Sequence, residues 1–311
     1  MSPAASPLGI DAAGLRFQNP LLLASGTAAY GRELSGVMDL NVLGGIVTKA
    51  VSLEPRLGAP APRVAEWSSG MVNAIGLANP GVDHVRADDL PWLAGNVRGP
   101  RVLVNVVGLT VDDFPAVVSA LDGEQGFDGF ELNVSCPNVR AGGLEFGADE
   151  SSLRAVVAGC RGATRKPLFV KLSPTLADVA GAARVAVDAG ADGITVVNTL
   201  PGLVVDIPSR RPALGFGSGG VSGAGLLPVG VLATAKVRKA VAVPLIGVGG
   251  VASAEDALQY LIAGASLVGV GTAALRDPRL PERIVRDLGK WCDRNNVASL
   301  ADVIGSLEWP A

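Results

Sequence analysis

The chain has 311 residues, 49% of them hydrophobic and 18% charged, with a formal net charge of −3. That balance offers no basic footprint for nucleic acid and no polybasic run for an anionic membrane surface. The apolar runs are too short to span a bilayer, and Met1 to Ile10 lacks a charged stretch followed by an apolar one, so the sequence predicts a cytoplasmic protein with no membrane partner.

Eight short apolar runs follow in order: Pro20–Ala24, Gly44–Thr48, Arg101–Val104, Gly129–Leu132, Pro167–Val170, Gly193–Val197, Pro244–Val248 and Leu267–Val270. Near-continuous β-branched runs of this kind read as parallel strands buried on both faces. Helical signals lie between most of them. Ser253 precedes an acidic first turn, Glu255-Asp256, and an apolar-periodic stretch that Gly264 closes; Asp178 to Ala189 repeats the plan, with Gly190 at its end. Repeated alternation of strand and helix predicts an α/β fold, a (β/α)8 TIM barrel filling a single domain over residues 1–311, with the barrel core at about 20–290.

In such a barrel the carboxyl ends of the strands form the active face. Here they carry Ser25, Lys49, Asn105, Asn133, Lys171, Asn198-Thr199, Gly249-Gly250 and Gly271-Thr272. Any one Gly or Asn there is a common turn residue, but a lysine ending an apolar strand is costly unless an anion or polar ligand meets it. The loops after strands seven and eight bind phosphate in many barrels, and the glycines at 249–250 and 271 bare the backbone in both places. A mononucleotide such as FMN or a sugar-phosphate substrate fits this pattern equally. Two connections, Ala50–Gly99 and Pro201–Gly223, are longer than a barrel requires and predict inserted loops or hairpins on the active face. The second holds a formal GxGxxG at Gly215, Gly217 and Gly220, but no apolar strand feeds it, so it reads as a flexible loop and not as a dinucleotide site.

The stretch Glu131-Leu132-Asn133-Val134-Ser135-Cys136-Pro137-Asn138 leaves a strand and runs straight into reactive residues, with Pro137 ending the ladder. Cys136 there reads either as a nucleophile, base or acid, or as a small buried hydrophobe. Cys160 and Cys292 lie far from it in sequence, and no CxxC pair predicts a disulfide framework or a metal cluster. His84 is the one histidine and reads as a solvated or capping residue; with no acidic cluster at the strand ends, no catalytic metal is expected.

The motifs Ser135-Cys-Pro-Asn138, Asn73-Ala-Ile-Gly-Leu77, Asn79-Pro-Gly81, Lys171-Leu-Ser-Pro174, Gly190-Ala-Asp-Gly193 and Asn198-Thr199 together resemble the dihydroorotate dehydrogenases. The cysteine at 136 and the run Asn138-Val-Arg-Ala-Gly-Gly143 are similar to the catalytic subunit of class 1B. The resemblance implies oxidation of (S)-dihydroorotate to orotate in pyrimidine synthesis. It implies one FMN per chain, with Cys136 as the base for the C5 proton and hydride passing from C6 to the flavin. By the same resemblance Asn73, Ala74, Ile75, Gly76, Leu77, Asn133, Asn138, Asn198, Thr199 and Lys49 hold substrate. Ser25, Lys49, Ala50, Asn105, Asn133, Lys171 and Val197 line the flavin, and Gly223, Gly249, Gly250, Gly271 and Thr272 its phosphate. Class 1B further implies a partner subunit with FAD and a [2Fe–2S] cluster that passes electrons to NAD, in an α2β2 heterotetramer built on a catalytic homodimer. The alternatives are a fumarate-linked enzyme of class 1A type and an FMN enzyme acting on another cyclic imide such as a dihydropyrimidine. The sequence departs from the family pattern over Val221–Pro228, where Leu227 replaces a lysine, and at Phe216, where an Asn is usual.

Overall fold

Strands β1 (Leu21–Leu23), β2 (Gly45–Val47), β3 (Arg101–Val106), β4 (Gly129–Asn133), β5 (Leu168–Leu172), β6 (Gly193–Val196), β7 (Leu245–Val248) and β8 (Leu267–Val270) close into one barrel. Each pairs in parallel with its neighbours in sequence, and β8 pairs with β1. The computed structural model describes residues 6–135, 137–138 and 144–310. The expected (β/α)8 barrel is therefore formed, each strand falling within or extending one of the eight apolar runs.

The helices Asp113–Leu121, Glu150–Ala163, Val179–Asp188, Leu227–Ala240 and Ala254–Ala263 follow β3 to β7 in turn. Their ends are set by local chemistry. Ser253 Oγ accepts from the Asp256 N–H at 3.1 Å, and Gly264 closes that helix in the left-handed region at φ 115°. Asp178 caps the Val179–Asp188 helix through the Gly181 N–H at 2.8 Å. After β8, helix Leu280–Asn295 buries Ile284, Leu288 and Cys292, spaced four residues apart along one face. The β1–β2 link is an exception to the alternation: it holds turns and a short 3-10 helix, Leu40–Val42, because Gly26 and Gly31 sit at positive φ and break any helical run.

An antiparallel pair, Ile10–Ala12 with Leu15–Phe17, lies at the amino-terminal end of the barrel, where Arg101 Nε donates to the Arg16 carbonyl at 2.9 Å. At the opposite end the two long connections meet. Val64–Trp67, Gly70–Asn73, Gly219–Ser222 and Leu200–Gly202 form one antiparallel sheet, and Val205–Asp206 pairs with Arg211–Pro212. The flexible loop expected around Gly215–Gly220 is thus corrected: Gly220 and Val221 are laddered on both sides, to Pro201 and Leu200 and to Asn73 and Val72. Leu227 opens the Leu227–Ala240 helix with Pro228 in its first turn, so that helix starts without the family's lysine.

Candidate active site at the barrel mouth

Parallel register brings a set of polar side chains together inside the barrel. Asn105 stands beside Glu131, Asn133 beside Lys171, and Lys171 beside Thr195, on strands β3 to β6. Phe130 and Leu132 alternate with Glu131 and Asn133 and are fully buried. Glu131 is 1% exposed and accepts from Asn105 Nδ2 at 2.7 Å and from Thr195 Oγ1 at 2.8 Å. Lys171 is 7% exposed, with Nζ 4.0 Å from Glu131 Oε1. The amide of Asn105 has its Nδ2 engaged, while its buried Oδ1 has no partner among the described residues. A buried acceptor left open in this way carries a desolvation cost that a ligand N–H would relieve.

At the ends of β4 and β6 a second cluster forms. Ser135 Oγ donates to Asn133 Oδ1 at 2.9 Å and accepts from Asn198 Nδ2 at 2.6 Å. Asn198 Oδ1 accepts from the Thr199 N–H at 2.8 Å, and the Val197 N–H donates to the Val248 carbonyl at 3.0 Å. Asn73 reaches this end through the inserted sheet, its Nδ2 donating to the Gly220 carbonyl at 3.2 Å. The Ala74 N–H donates to Arg63 and the Ile75 carbonyl accepts from Ala59, while Gly76 and Leu77 turn through positive φ of 68° and 57°. A Cβ at Gly220 would lie 2.1 Å from Thr199 Oγ1, so the strand of Gly220 runs directly against the Asn198-Thr199 end.

The segments after β1 and β2 hold each other. Ser25 Oγ donates to the Thr48 carbonyl at 2.9 Å, the Lys49 N–H to Ala29 at 2.7 Å, and Tyr30 Oη to the Ala50 carbonyl at 3.1 Å. Burial, followed by the nearby Asp89 and Glu33 carboxylates, pushes the Tyr30 phenol well above its ordinary range, so it acts as a neutral donor.

The glycine-rich ends of β7 and β8 converge on the residues that follow the inserted sheet. Thr272 Oγ1 donates to Ser222 Oγ at 2.7 Å, next to Gly223 at φ 106°. Gly249 and Gly250 have φ of 127° and 78°, and a Cβ at Gly250 would stand 2.4 Å from the Leu227 nitrogen. Gly271 precedes the short helix Thr272–Arg276. Bare backbone and two paired hydroxyls suit an oxyanion.

Cys136 lies outside the described residues, and of Asn138 only the backbone pairing with Leu144 is described. Cys160 and Cys292 are buried, the former with its thiol pushed up to about 12 by desolvation. His84 is 52% exposed, with Nδ1 3.3 Å from Asp88, in line with a solvated role. Among the described residues no group of three or more His, Cys, Asp or Glu could hold a metal ion, and no helix is long and apolar enough to cross a membrane. Sequence reasoning gave no site role to Thr195 or Ser222, nor to Glu131 and Ser135, although these two lie in the stretch it singled out. Glu131 had a signal: a lone acid alternating with Phe130 and Leu132 must face the barrel interior.

These features define a (β/α)8 barrel protein whose strand carboxyl ends gather amide and hydroxyl groups, a buried lysine and bare glycine backbone. A sequence profile described as dihydroorotate dehydrogenase matches residues 8–291, and the chain belongs to that family. A Pelobacter propionicus protein named dihydroorotate dehydrogenase B (NAD(+)), catalytic subunit, is 44% identical over 96% of this chain and 98% of its own length. A Solibacter usitatus protein provisionally named dihydroorotate dehydrogenase A (fumarate) is 45% identical over 95% of this chain and 97% of its own length. The crystal structure of a dihydroorotate dehydrogenase from Eimeria tenella in complex with ferulenol superposes with a TM-score of 0.82 at 23% identity, covering 98% of this chain and 90% of that one, which extends the likeness of fold.

Proposed function

We propose that this chain, as one FMN-binding barrel domain, oxidises (S)-dihydroorotate to orotate and is the catalytic subunit of an NAD-linked enzyme of pyrimidine synthesis. The observation that carries the reading is the pairing of two surfaces at one mouth: the Asn105–Glu131–Lys171 ladder with its open Asn105 acceptor, and the Ser222–Thr272 opening with its bare glycines. The first fits the imide edge of a flavin ring and the second its ribityl phosphate, so these residues fit FMN. When bound, FMN supplies the acceptor for the hydride that leaves C6 of the substrate.

The chain's own groups have separate tasks. Cys136 takes the C5 proton, so the substrate loses one proton to sulfur and one hydride to the acceptor, and the C5–C6 double bond of orotate forms. Asn73, Asn133 and Asn198 present amide donors and acceptors to the pyrimidine ring. Ala74 to Leu77, Asn138 and Thr199 enclose the substrate, and Lys49 meets its carboxylate. Lys171 would be the cation that holds the flavin ring and favours electron uptake by it. Ser25, Ala50 and Val197 line the flavin, and Gly223, Gly249, Gly250, Gly271 and Thr272 receive the phosphate.

The name of the Pelobacter relative, an NAD(+) catalytic subunit, supports an onward route to NAD through a separate subunit. By the resemblance to class 1B that subunit would carry FAD and [2Fe–2S], in a cytoplasmic α2β2 assembly. The Solibacter relative supports the second reading, direct reduction of fumarate. Orotate release by the chain alone with fumarate, against release with NAD only when a partner subunit is added, separates the two. Failure to release orotate with any acceptor would overturn both.

A further inference from the structure

Glu131 is the one acidic side chain on strands β3 to β6 and is buried to 1% exposure. A carboxylate so placed is tolerated only with partners. One oxygen holds Asn105 Nδ2 at 2.7 Å and the other holds Thr195 Oγ1 at 2.8 Å. The oxygen that holds Asn105 also stands 4.0 Å from Lys171 Nζ. Two consequences follow from this geometry. By occupying Nδ2, the carboxylate fixes the Asn105 amide so that Oδ1 is the open acceptor. By facing Lys171, it places a fixed negative charge beside the cation at the flavin site, so the ligand meets an ion pair and not a bare ammonium.

We propose that Glu131 is a positioning residue that sets the reduction potential of the bound flavin through Lys171. The inference rests on the flavin reading above. A carboxylate that holds Lys171 weakens the pull of that cation on electrons entering the ring; neutralising it frees Lys171 and makes the flavin easier to reduce. A merely structural hydrogen-bonding role is largely preserved by glutamine, whereas an electrostatic one is lost.

The test is titration of the oxidised, FMN-loaded protein with sulfite, which adds to the flavin as an anion and binds more tightly as the potential rises. Glu131→Gln should tighten sulfite binding by about tenfold, as Lys171 is released from the carboxylate and its charge acts undiminished on the bound anion. In a Lys171→Met background the same change should have less than about a third of that effect, by the logic of a double-mutant cycle. Thr195→Val keeps the charge but frees the carboxylate to close on Lys171, and should weaken sulfite binding; it decides the matter should Glu131→Gln fail to fold. Unchanged sulfite affinity in Glu131→Gln, or in Thr195→Val where only that variant folds, would overturn the proposal, as would equal tightening with and without Lys171. A wild-type protein that takes up no FMN would overturn the flavin reading and this inference with it, whereas wild-type flavin insensitive to these changes overturns this inference alone.

Discussion

Ser135 Oγ lies 2.6 Å from Asn198 Nδ2, so one hydroxyl ties the end of strand β4 to the end of strand β6. The same hydroxyl donates to Asn133 Oδ1 at 2.9 Å, which leaves Asn133 Nδ2 as the donor available to a ligand. Ser135→Ala should therefore raise the KM for dihydroorotate about fivefold to tenfold, the cost of about one net hydrogen bond, while FMN content stays at the wild-type level. Steady-state kinetics alongside the visible spectrum check this. An unchanged KM would mean that the two amides are oriented by other groups.

Gly250 tests the phosphate side. Its φ of 78° disfavours any side chain, and a Cβ would stand 2.4 Å from the Leu227 nitrogen at the start of the Leu227–Ala240 helix. Gly250→Ala should yield a barrel with unchanged far-ultraviolet circular dichroism and at least a tenfold loss of FMN affinity, since a shift of the helix start of about 1.4 kcal/mol suffices. Full flavin occupancy in that variant would place the phosphate elsewhere.

The cysteines separate by reactivity. Cys160 is fully buried with its thiol pushed up to about 12, and Cys292 is buried with its thiol raised by desolvation and then by Asp293. A thiolate is the species that alkylates, so native protein treated briefly with iodoacetamide should gain a single adduct, at Cys136, and orotate should protect it. Peptide mass spectrometry reads the position. Labelling at Cys160 or Cys292 ahead of Cys136 would contradict the assignment of Cys136 as the reactive thiol.

Much of this arrangement was legible in the residues alone, for reasons that can be named. Strands such as Leu168–Leu172 and Gly193–Val196 are covered on both faces, so their apolar runs are nearly unbroken and stand out. Ser253 and Asp178 announce their helices because side-chain caps are local chemistry. Hairpins on the two long connections were expected, and Val64–Trp67 with Gly70–Asn73 forms one, but the joining of both connections into a single sheet was not legible. Gly219–Ser222 and Leu200–Gly202 are short, rich in glycine and proline, and gain their order from pairing with Gly70–Asn73, a segment far away in sequence. The Glu131 network was hidden for a similar reason, since Asn105, Lys171 and Thr195 reach it only once the barrel closes.

Glu145 gives a pH dependence. Burial raises its carboxyl above the ordinary carboxylate range, while the Ser173 and Thr175 hydroxyls pull the other way. The folded state thus holds this proton to higher pH than the unfolded chain does. Stability from this group is intact below the unfolded value and is lost as pH rises through the folded one. Glu145→Gln should be more stable than wild type at about pH 8, by under about 1 kcal/mol for a half-buried group, and the gain should vanish near pH 4. Thermal melts at the two pH values decide it; a loss of Tm at pH 8 that shrinks at pH 4 would show that the ionised carboxylate stabilises the fold.

The most direct measurement is anaerobic mixing of the FMN-loaded protein with dihydroorotate, followed by visible absorbance in a stopped-flow instrument. If Cys136 and the Asn133–Lys171 mouth oxidise this substrate, the flavin bleaches within the mixing experiment and orotate appears in equal amount. Flavin that stays fully oxidised in the presence of saturating dihydroorotate would leave the barrel and its cofactor site standing and contradict the assigned reaction.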